Sequence, residues 1–322
     1  MSMPTAPTPE LAILFENEAW QQPLFDVLDQ RGLSYVKYDL KSAAFGGHDL
    51  PKAQLYFNQA SPSAYVRGRP RVVPFTQALL RNLQIQGAKV LNGASVFAFE
   101  LSKSAQIAQL RELGIDHPYS IMFNDVEALA RRDDLRFPAM LKPEQGGSGA
   151  RMHKLDSLDE LRALLAGEPG LWEPDQLLLL QEYLPHDPEF GIVRMEFLGG
   201  ELLYAMRVVT HGRYNLCPSE QCNPVEDGAV GTCAIPAPQE APPVEFYPFH
   251  DLCDEALEAG RRIVRSAQMD VAGIEFLETP DGRRVFYDIN ANSNLRGPIG
   301  EAFGFNPFER VADFLEQRLV VG

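Results

Sequence analysis

Apolar and polar positions along the first hundred residues fall into blocks that read as strand, helix, strand. Residues 11–16 form a short apolar run, the mark of a buried strand. From 20 to 31, Leu24, Phe25, Val27 and Leu28 recur at helical spacing, and Gly32 closes the segment. Residues 35–38 alternate like a strand. Residues 55–58 and 89–92 read as two more strands, with a helix over 75–85 between them. Strand–helix–strand units of this length pack as parallel sheet, so residues 1–100 are expected to form a small α/β domain. The turn after the first strand, Glu16-Asn17-Glu18, is acidic and has no glycine. A dinucleotide site is not expected there, because a pyrophosphate needs backbone amides at a glycine turn.

The pattern then changes. Residues 103–113 read as a helix ended by Gly114. A strand over 137–142 runs into a glycine-rich turn at 143–150, and 152–155 return as the second strand of a hairpin. A helix over 158–165 and a strand over 177–183 follow. Residues 192–197 and 202–209 make a hairpin across Gly199 and Gly200. Residues 217–249 carry seven prolines and little periodicity, which predicts a long ordered loop or lid. A helix over 252–267, strands over 272–277 and 284–289 around the turn Pro280-Asp281-Gly282, and a helix over 308–318 complete the chain.

Composition narrows the function. The chain has 322 residues, 45% of them hydrophobic, enough for about two domains with a large core and incompatible with a disordered chain. Lys and Arg number 29 against 44 Asp and Glu, a net charge of −15. That balance argues against DNA or RNA as a partner, since phosphate-backbone affinity comes from clustered cations. It leaves room for a small phosphate ligand held by two or three local cations. No apolar run approaches the roughly 18–20 residues of a membrane span. The N-terminal residues lack the basic and apolar segments of a signal peptide. Four cysteines do not make a disulfide framework. The expectation is a cytoplasmic protein with reduced thiols and no membrane or nucleic-acid partner.

Three groups of residues carry candidate chemistry. Lys142 stands just before Gly146, Gly147, Ser148 and Gly149. Glycines let backbone amides approach phosphate oxygens, and Lys adds a point charge. No Gly-Lys-Ser/Thr follows, so the loop is not a Walker A sequence, and an ordinary glycine hairpin is the competing reading. Glu182, between Gln181 and Tyr183-Leu184, ends an apolar strand. Such a strand end can pair with a purine edge, and Glu182 can accept from an exocyclic amine; a solvated strand end is the alternative. Glu275 lies on one strand, and Asp288 and Asn290 lie two apart on the next, so the latter share a face. Three oxygen ligands on one face suit Mg²⁺, which takes few carboxylates together with phosphate oxygens and water. Their flanks are apolar, where an unpaired acid is expensive. Arg296, in the polar stretch that follows, is placed to stabilise developing negative charge.

The order of Lys103, Lys142-Pro143 with its glycine loop, Gln181-Glu182-Tyr183-Leu184, Glu275 and Asp288-x-Asn290 resembles the ATP-grasp superfamily, and within it the RimK-like carboxylate–amine ligases. The resemblance covers most of the chain. It implies an ATP-grasp fold behind the small parallel-sheet α/β domain: residues 1–100, a central lobe at 101–184 and a C-terminal lobe at 185–322. It implies ATP as cofactor, with two Mg²⁺, Mn²⁺ being an alternative. Lys103 and Lys142 match the two ATP-phosphate lysines, and Glu182, Tyr183 and Leu184 the adenine segment. Glu189 or Asp187 would hold the ribose. Glu275, Asp288 and Asn290 match the metal set. The implied reaction joins a small acid, amino acid or peptide to an amine through an acylphosphate, forming an amide and releasing ADP and phosphate. A dipeptide-forming ligase of another branch, a kinase on the same fold and a non-catalytic nucleotide binder are the alternatives.

The chain departs from the RimK-like pattern in two places. Ile192-Val193-Arg194 keeps the family's Arg but not its Asp. Gly212-Arg213-Tyr214-Asn215 is followed by Leu216-Cys217 and not by Gly-Gly, which points to a different substrate. Arg194, Arg207 and Arg213 are candidates for substrate carboxylates.

His211, Cys217, Cys222 and Cys233 lack the spacing of a zinc knuckle and read as loop residues. His48, His117, His153, His186 and His250 show no partner pattern. Arg67, Arg69 and Arg71 read as a solvated patch, with an anionic substrate contact as the alternative. The oligomeric state stays open, a homodimer included.

Overall fold

Three sheets organise the chain in the computed structural model, which describes residues 9–46, 50–147, 149–211, 244–293 and 295–320. The first is built from β1 (Leu11–Phe15), β2 (Tyr35–Asp39), β3 (Leu55–Gln59) and β4 (Lys89–Leu91). It has the order β2-β1-β3-β4, with every pair parallel. Its helices are α1 (Glu18–Arg31), α2 (Val72–Ile85) and α3 (Ala94–Glu100). β1 is buried along its whole length because helices cover both faces. Leu11, Ile13 and Phe15 point to α1, meeting Leu24, Phe25 and Leu28. Ala12 and Leu14 point to α2, meeting Leu79, Leu80 and Leu83. That is the two-residue period of a strand. α1 stops where Gly32 turns left-handed at φ 68° and donates back to Asp29 O.

The second sheet holds β5 (Ser120–Phe123), β6 (Ala139–Pro143), β7 (His153–Leu155) and β8 (Leu178–Glu182), antiparallel in the order β5-β8-β6-β7. The helix α4 (Lys103–Glu112) leads into it; α5 (Val126–Ala130) and α6 (Leu158–Gly167) lie between its strands in sequence. The third sheet contains β9 (Ile192–Leu198), β10 (Glu201–Val209), β11 (Glu245–Pro248), β12 (Val271–Glu278) and β13 (Arg284–Asn290). Its order is β11-β10-β9-β12-β13, again antiparallel. α7 (Asp254–Ala267), α8 (Gly297–Ala302) and α9 (Pro307–Val320) accompany it. The chain is thus a mixed helix and sheet protein with one parallel and two antiparallel sheets.

Helices cross between these layers. α4 buries Leu110 against Val193, Ile274 and Ile289 of the third sheet, although it precedes the second in the chain. α9 packs Val311, Ala312 and Leu315 onto the β1 face of the first sheet. Burial of such side chains contributes roughly 1.5–3 kcal/mol each, so these helices tie the sheets together.

Several short elements escaped the sequence pattern. Residues 245–248, expected in a long loop, form the edge strand β11. α3, β5 and α8 are brief, and their pattern is too short to distinguish from a turn. The remainder of the expected lid, 217–243, lies outside the described residues, as do Ser148, Arg213, His48, Cys217, Cys222 and Cys233. No helix among the described residues is long and apolar enough to cross a membrane.

Candidate active site

The register of β12 against β13 sets Glu275 opposite Asp288 and Gly273 opposite Asn290. Two carboxylates directly across a strand pair repel unless cations intervene, and here each has one. Lys103 Nζ donates to Asp288 Oδ1. Arg194 Nη1 donates to Glu275 Oε1 at 2.8 Å, and Arg194 Nε donates to Glu196 Oε1 at 2.6 Å. Asn290 Nδ2 donates to Asp288 Oδ2 at 3.0 Å, and the Tyr287 hydroxyl to Glu275 Oε2 at 3.1 Å. Gly273 makes room for this: a Cβ there would stand 2.1 Å from Arg194 Nη2.

The environment splits the pair. Burial pushes the Glu275 carboxyl up, and the Asp288 charge adds to that. Burial would raise Asp288 too, but the Lys103 ammonium holds it below the usual range. Burial disfavours the Arg194 charge, yet Glu196 and Glu275 outweigh it and keep the guanidinium charged.

Lys103 is placed by the N-terminus of α4, where the Ser102 hydroxyl accepts from Ala105 N. Glu144 binds that helix end, its Oε1 accepting from Ser102 Oγ at 2.6 Å and its Oε2 from Ser104 N at 3.0 Å. A buried carboxylate on unpaired helix N–H groups is a favourable electrostatic match. Because Glu144 begins the glycine turn, it ties that turn to Lys103. Lys142, on β6, donates to Gln181 Oε1 at 2.6 Å and lies 5.4 Å from the Tyr287 ring. Burial, with a smaller contribution from the Lys103 charge, brings its ammonium down to about 8.

A cavity of about 160 Å³ opens beside these groups. It is lined by Glu275, Asp288 and Asn290, by Arg194 and Arg296, and by Gly147 and Gly149 of the glycine turn. Arg296 lies 3.2 Å over the Phe246 ring and donates its backbone N–H to the Tyr204 hydroxyl at 2.8 Å. Burial, helped by the Arg194 charge, brings its guanidinium down to about 10. Two guanidinium groups lining one cavity suit an anionic ligand.

Trp20 of α1 and Ser61 and Ser63, just after β3, also line the cavity. Gly147 touches Ser63 closely, since a Cβ there would stand 2.5 Å from Ser63 Cβ. Arg67 donates to Ser63 Oγ at 2.9 Å, pairs with Glu16 and lies 4.5 Å over the Trp20 ring. The expected solvated patch is therefore corrected at Arg67. Its side chain is 7% exposed, because the carboxylate of Glu16, itself buried, draws it inward.

Other expected residues lie elsewhere. Glu182, Tyr183, Leu184 and Glu189 do not line this cavity. The Glu182 carboxylate, expected to accept from a base amine, accepts from Tyr119 N at 2.8 Å and pairs with Arg136 at 3.0 Å. Tyr183 stacks under Lys154, and Glu189 N–H donates to Asp187 at 2.9 Å. Arg207 lies on β10 between the Phe190 and Tyr247 rings. Sequence reasoning missed Trp20, Ser61, Ser63, Glu100, Glu144 and Asn292. Of these only Asn292 left a signal, continuing the two-residue spacing of Asp288 and Asn290. Among the described residues no group of three or more His, Cys, Asp or Glu is arranged around a metal position; the set here is two carboxylates and one amide.

No family model matches the chain, and no curated protein matches it. Solved structures do. The ATP-grasp ligase PsnB, complexed with a minimal precursor, superposes with a TM-score of 0.64 at 18% identity, over 97% of this chain and 100% of that one. A RimK domain ATP-grasp protein from Sphaerobacter thermophilus gives 0.65 at 17% identity, over 95% and 98%. A D-alanine–D-alanine ligase from Bacillus anthracis gives 0.66 at 12% identity, over 97% of both chains. Identity this low carries the architecture alone. With its parallel first sheet, two antiparallel sheets and the cavity beside them, the chain has the ATP-grasp fold.

Proposed function

We propose that the protein is an ATP-dependent carboxylate–amine ligase of RimK-like type. The observation that carries this reading is one cavity lined by Glu275, Asp288, Asn290, Arg194 and Arg296, with Lys103 bonded to Asp288 and Lys142 beside Tyr287. PsnB and the D-alanine–D-alanine ligase among the fold neighbours are ligases, and two PsnB structures hold Mg and ADP.

In this reading the acid substrate's carboxylate oxygen attacks the γ-phosphorus of ATP, and ADP leaves. The amine nitrogen then attacks the acyl carbon, the bond to phosphate breaks, phosphate leaves, the nitrogen gives up a proton to water, and an amide forms. The protein contributes positioning and charge neutralisation. Lys103 and Lys142 hold phosphate oxygens, the segment 182–184 takes the adenine, and Arg296 steadies the charge that develops on the transferred group. Arg194 has two carboxylate partners in the described state, so it serves the substrate only once Glu275 is otherwise compensated.

Mg²⁺ fits the residues present. Glu275, Asp288 and Asn290 offer hard oxygens; Glu275 is buried, Asp288 half-buried, and each carboxylate already has a cationic partner. Bound there, the ion would neutralise phosphate charge.

The test is ADP and phosphate release with Mg-ATP across a matrix of amino acids, small acids and amines, with mass spectrometry of each mixture. ADP release that needs both an acid and an amine, with an amide product, is the expected result. A phosphorylated product with no amine requirement would move the assignment to a kinase. Tight ATP binding without turnover would leave a nucleotide binder.

A further inference from the structure

Glu100 ends α3, three residues before Lys103, and is 3% exposed. Its Oε1 accepts the Asn292 backbone N–H at 3.1 Å. Its Oε2 is buried and has no hydrogen-bond partner among the described residues, while the side chain lines the same cavity as Asp288 and Asn290. Asn292 also donates from Nδ2 to Gln59 O at 2.7 Å, so Glu100 sits where β13 meets the wall formed by Ser61 and Ser63. A buried acceptor left open toward a cavity needs a donor from the ligand.

We propose that Glu100 recognises the amine substrate, its Oε2 accepting a hydrogen bond from the N–H and aiming the nitrogen at the acyl carbon. This rests on the ligase reading. The cavity's cations serve anionic groups, and Lys103 compensates Asp288. Glu100 thus offers an acceptor to the N–H groups of an amine and leaves its lone pair free to attack. Burial raises its carboxyl to about 8, with the Asn292 N–H, the Lys103 charge and the Ala291 N–H acting against that rise. The accepting form is the carboxylate, so the assay is run at about pH 9, above that value.

The test compares the wild type with Glu100→Gln and Glu100→Asp, using an acid–amine pair from the substrate matrix and, separately, hydroxylamine as a minimal amine. Gln keeps an oxygen for Asn292 N–H but sets an NH₂ where Oε2 stood. The expected result for Glu100→Gln is a KM for the amine raised about tenfold or more. The KM values for ATP and the acid stay within about twofold, and Glu100→Asp recovers part of the loss. An unchanged amine KM overturns the proposal and leaves the ligase reading standing. Equal rises in the ATP and amine KM values overturn it in favour of a structural role, which a matching loss of thermal stability would confirm. A wild type that makes neither amide nor hydroxamate overturns both readings.

Discussion

Asp288 meets two opposed demands, burial that favours the neutral acid and a Lys103 contact that favours the carboxylate. The contact wins, and the charge it preserves is the one the proposed Mg²⁺ would use. Replacing Asp288 with Asn removes that charge at constant shape. ADP release should fall by about 10²–10³-fold, while ATP affinity by calorimetry without metal stays within about threefold. Glu100 shows the opposite balance. Its folded carboxyl titrates at about 8 against an ordinary 4.5. Between those values the folded state keeps a proton that the unfolded chain has lost. The associated stability is complete below the ordinary value and disappears as pH rises through about 8. Glu100→Gln should therefore flatten the decline of Tm between about pH 5 and 8, measured by scanning calorimetry.

The glycine turn works as an element because it touches its neighbours at both ends. Glu144 anchors its start to α4, and Gly147 meets the wall at Ser63. The contact at Ser63 includes its Cα at 2.9 Å, so an added methyl meets backbone that cannot swing aside. Overpacking of this kind costs about 1–3 kcal/mol, and the turn relieves it by moving outward. Gly147→Ala should raise the KM for ATP about tenfold with little change in Tm. β12 and β13 act as a second element. Their register brings Glu275, Asp288 and Asn290 to one place, and the two-residue spacing of Asp288 and Asn290 already implied the shared face.

The whole molecule depends on joints between its sheets. Asn92, fully buried at the end of β4, accepts from Asp270 N at 2.8 Å and Val271 N at 3.3 Å. It donates to Val271 O at 2.8 Å and to Ala291 O. One side chain thus pins the first sheet to both strands that carry the candidate metal residues. Its φ of 48° is a conformation that Asn tolerates better than most residues. Asn92→Ala would leave several buried backbone groups unpaired at about 1–3 kcal/mol each. Stability should drop by about 3–5 kcal/mol in urea unfolding, with a broader transition as the sheets lose their coupling.

By itself the sequence determined the local elements and the residue types of the site. Strand and helix periods are set by neighbours a few positions apart, so β1, α1, β12 and β13 were legible, as was the αL stop at Gly32. The spacing of Asp288 and Asn290 was legible for the same reason. Only the tertiary structure decided the pairings. Lys103 meets Asp288 across 185 positions and Arg194 meets Glu275 across 81. Arg67 turned inward to Glu16, and Glu100 arrived at the cavity with one oxygen open. Nothing in the neighbourhood of these residues sets their partners. Their charges are compensated by groups brought close by sheet register and helix docking, and a buried charge takes whichever partner that packing supplies.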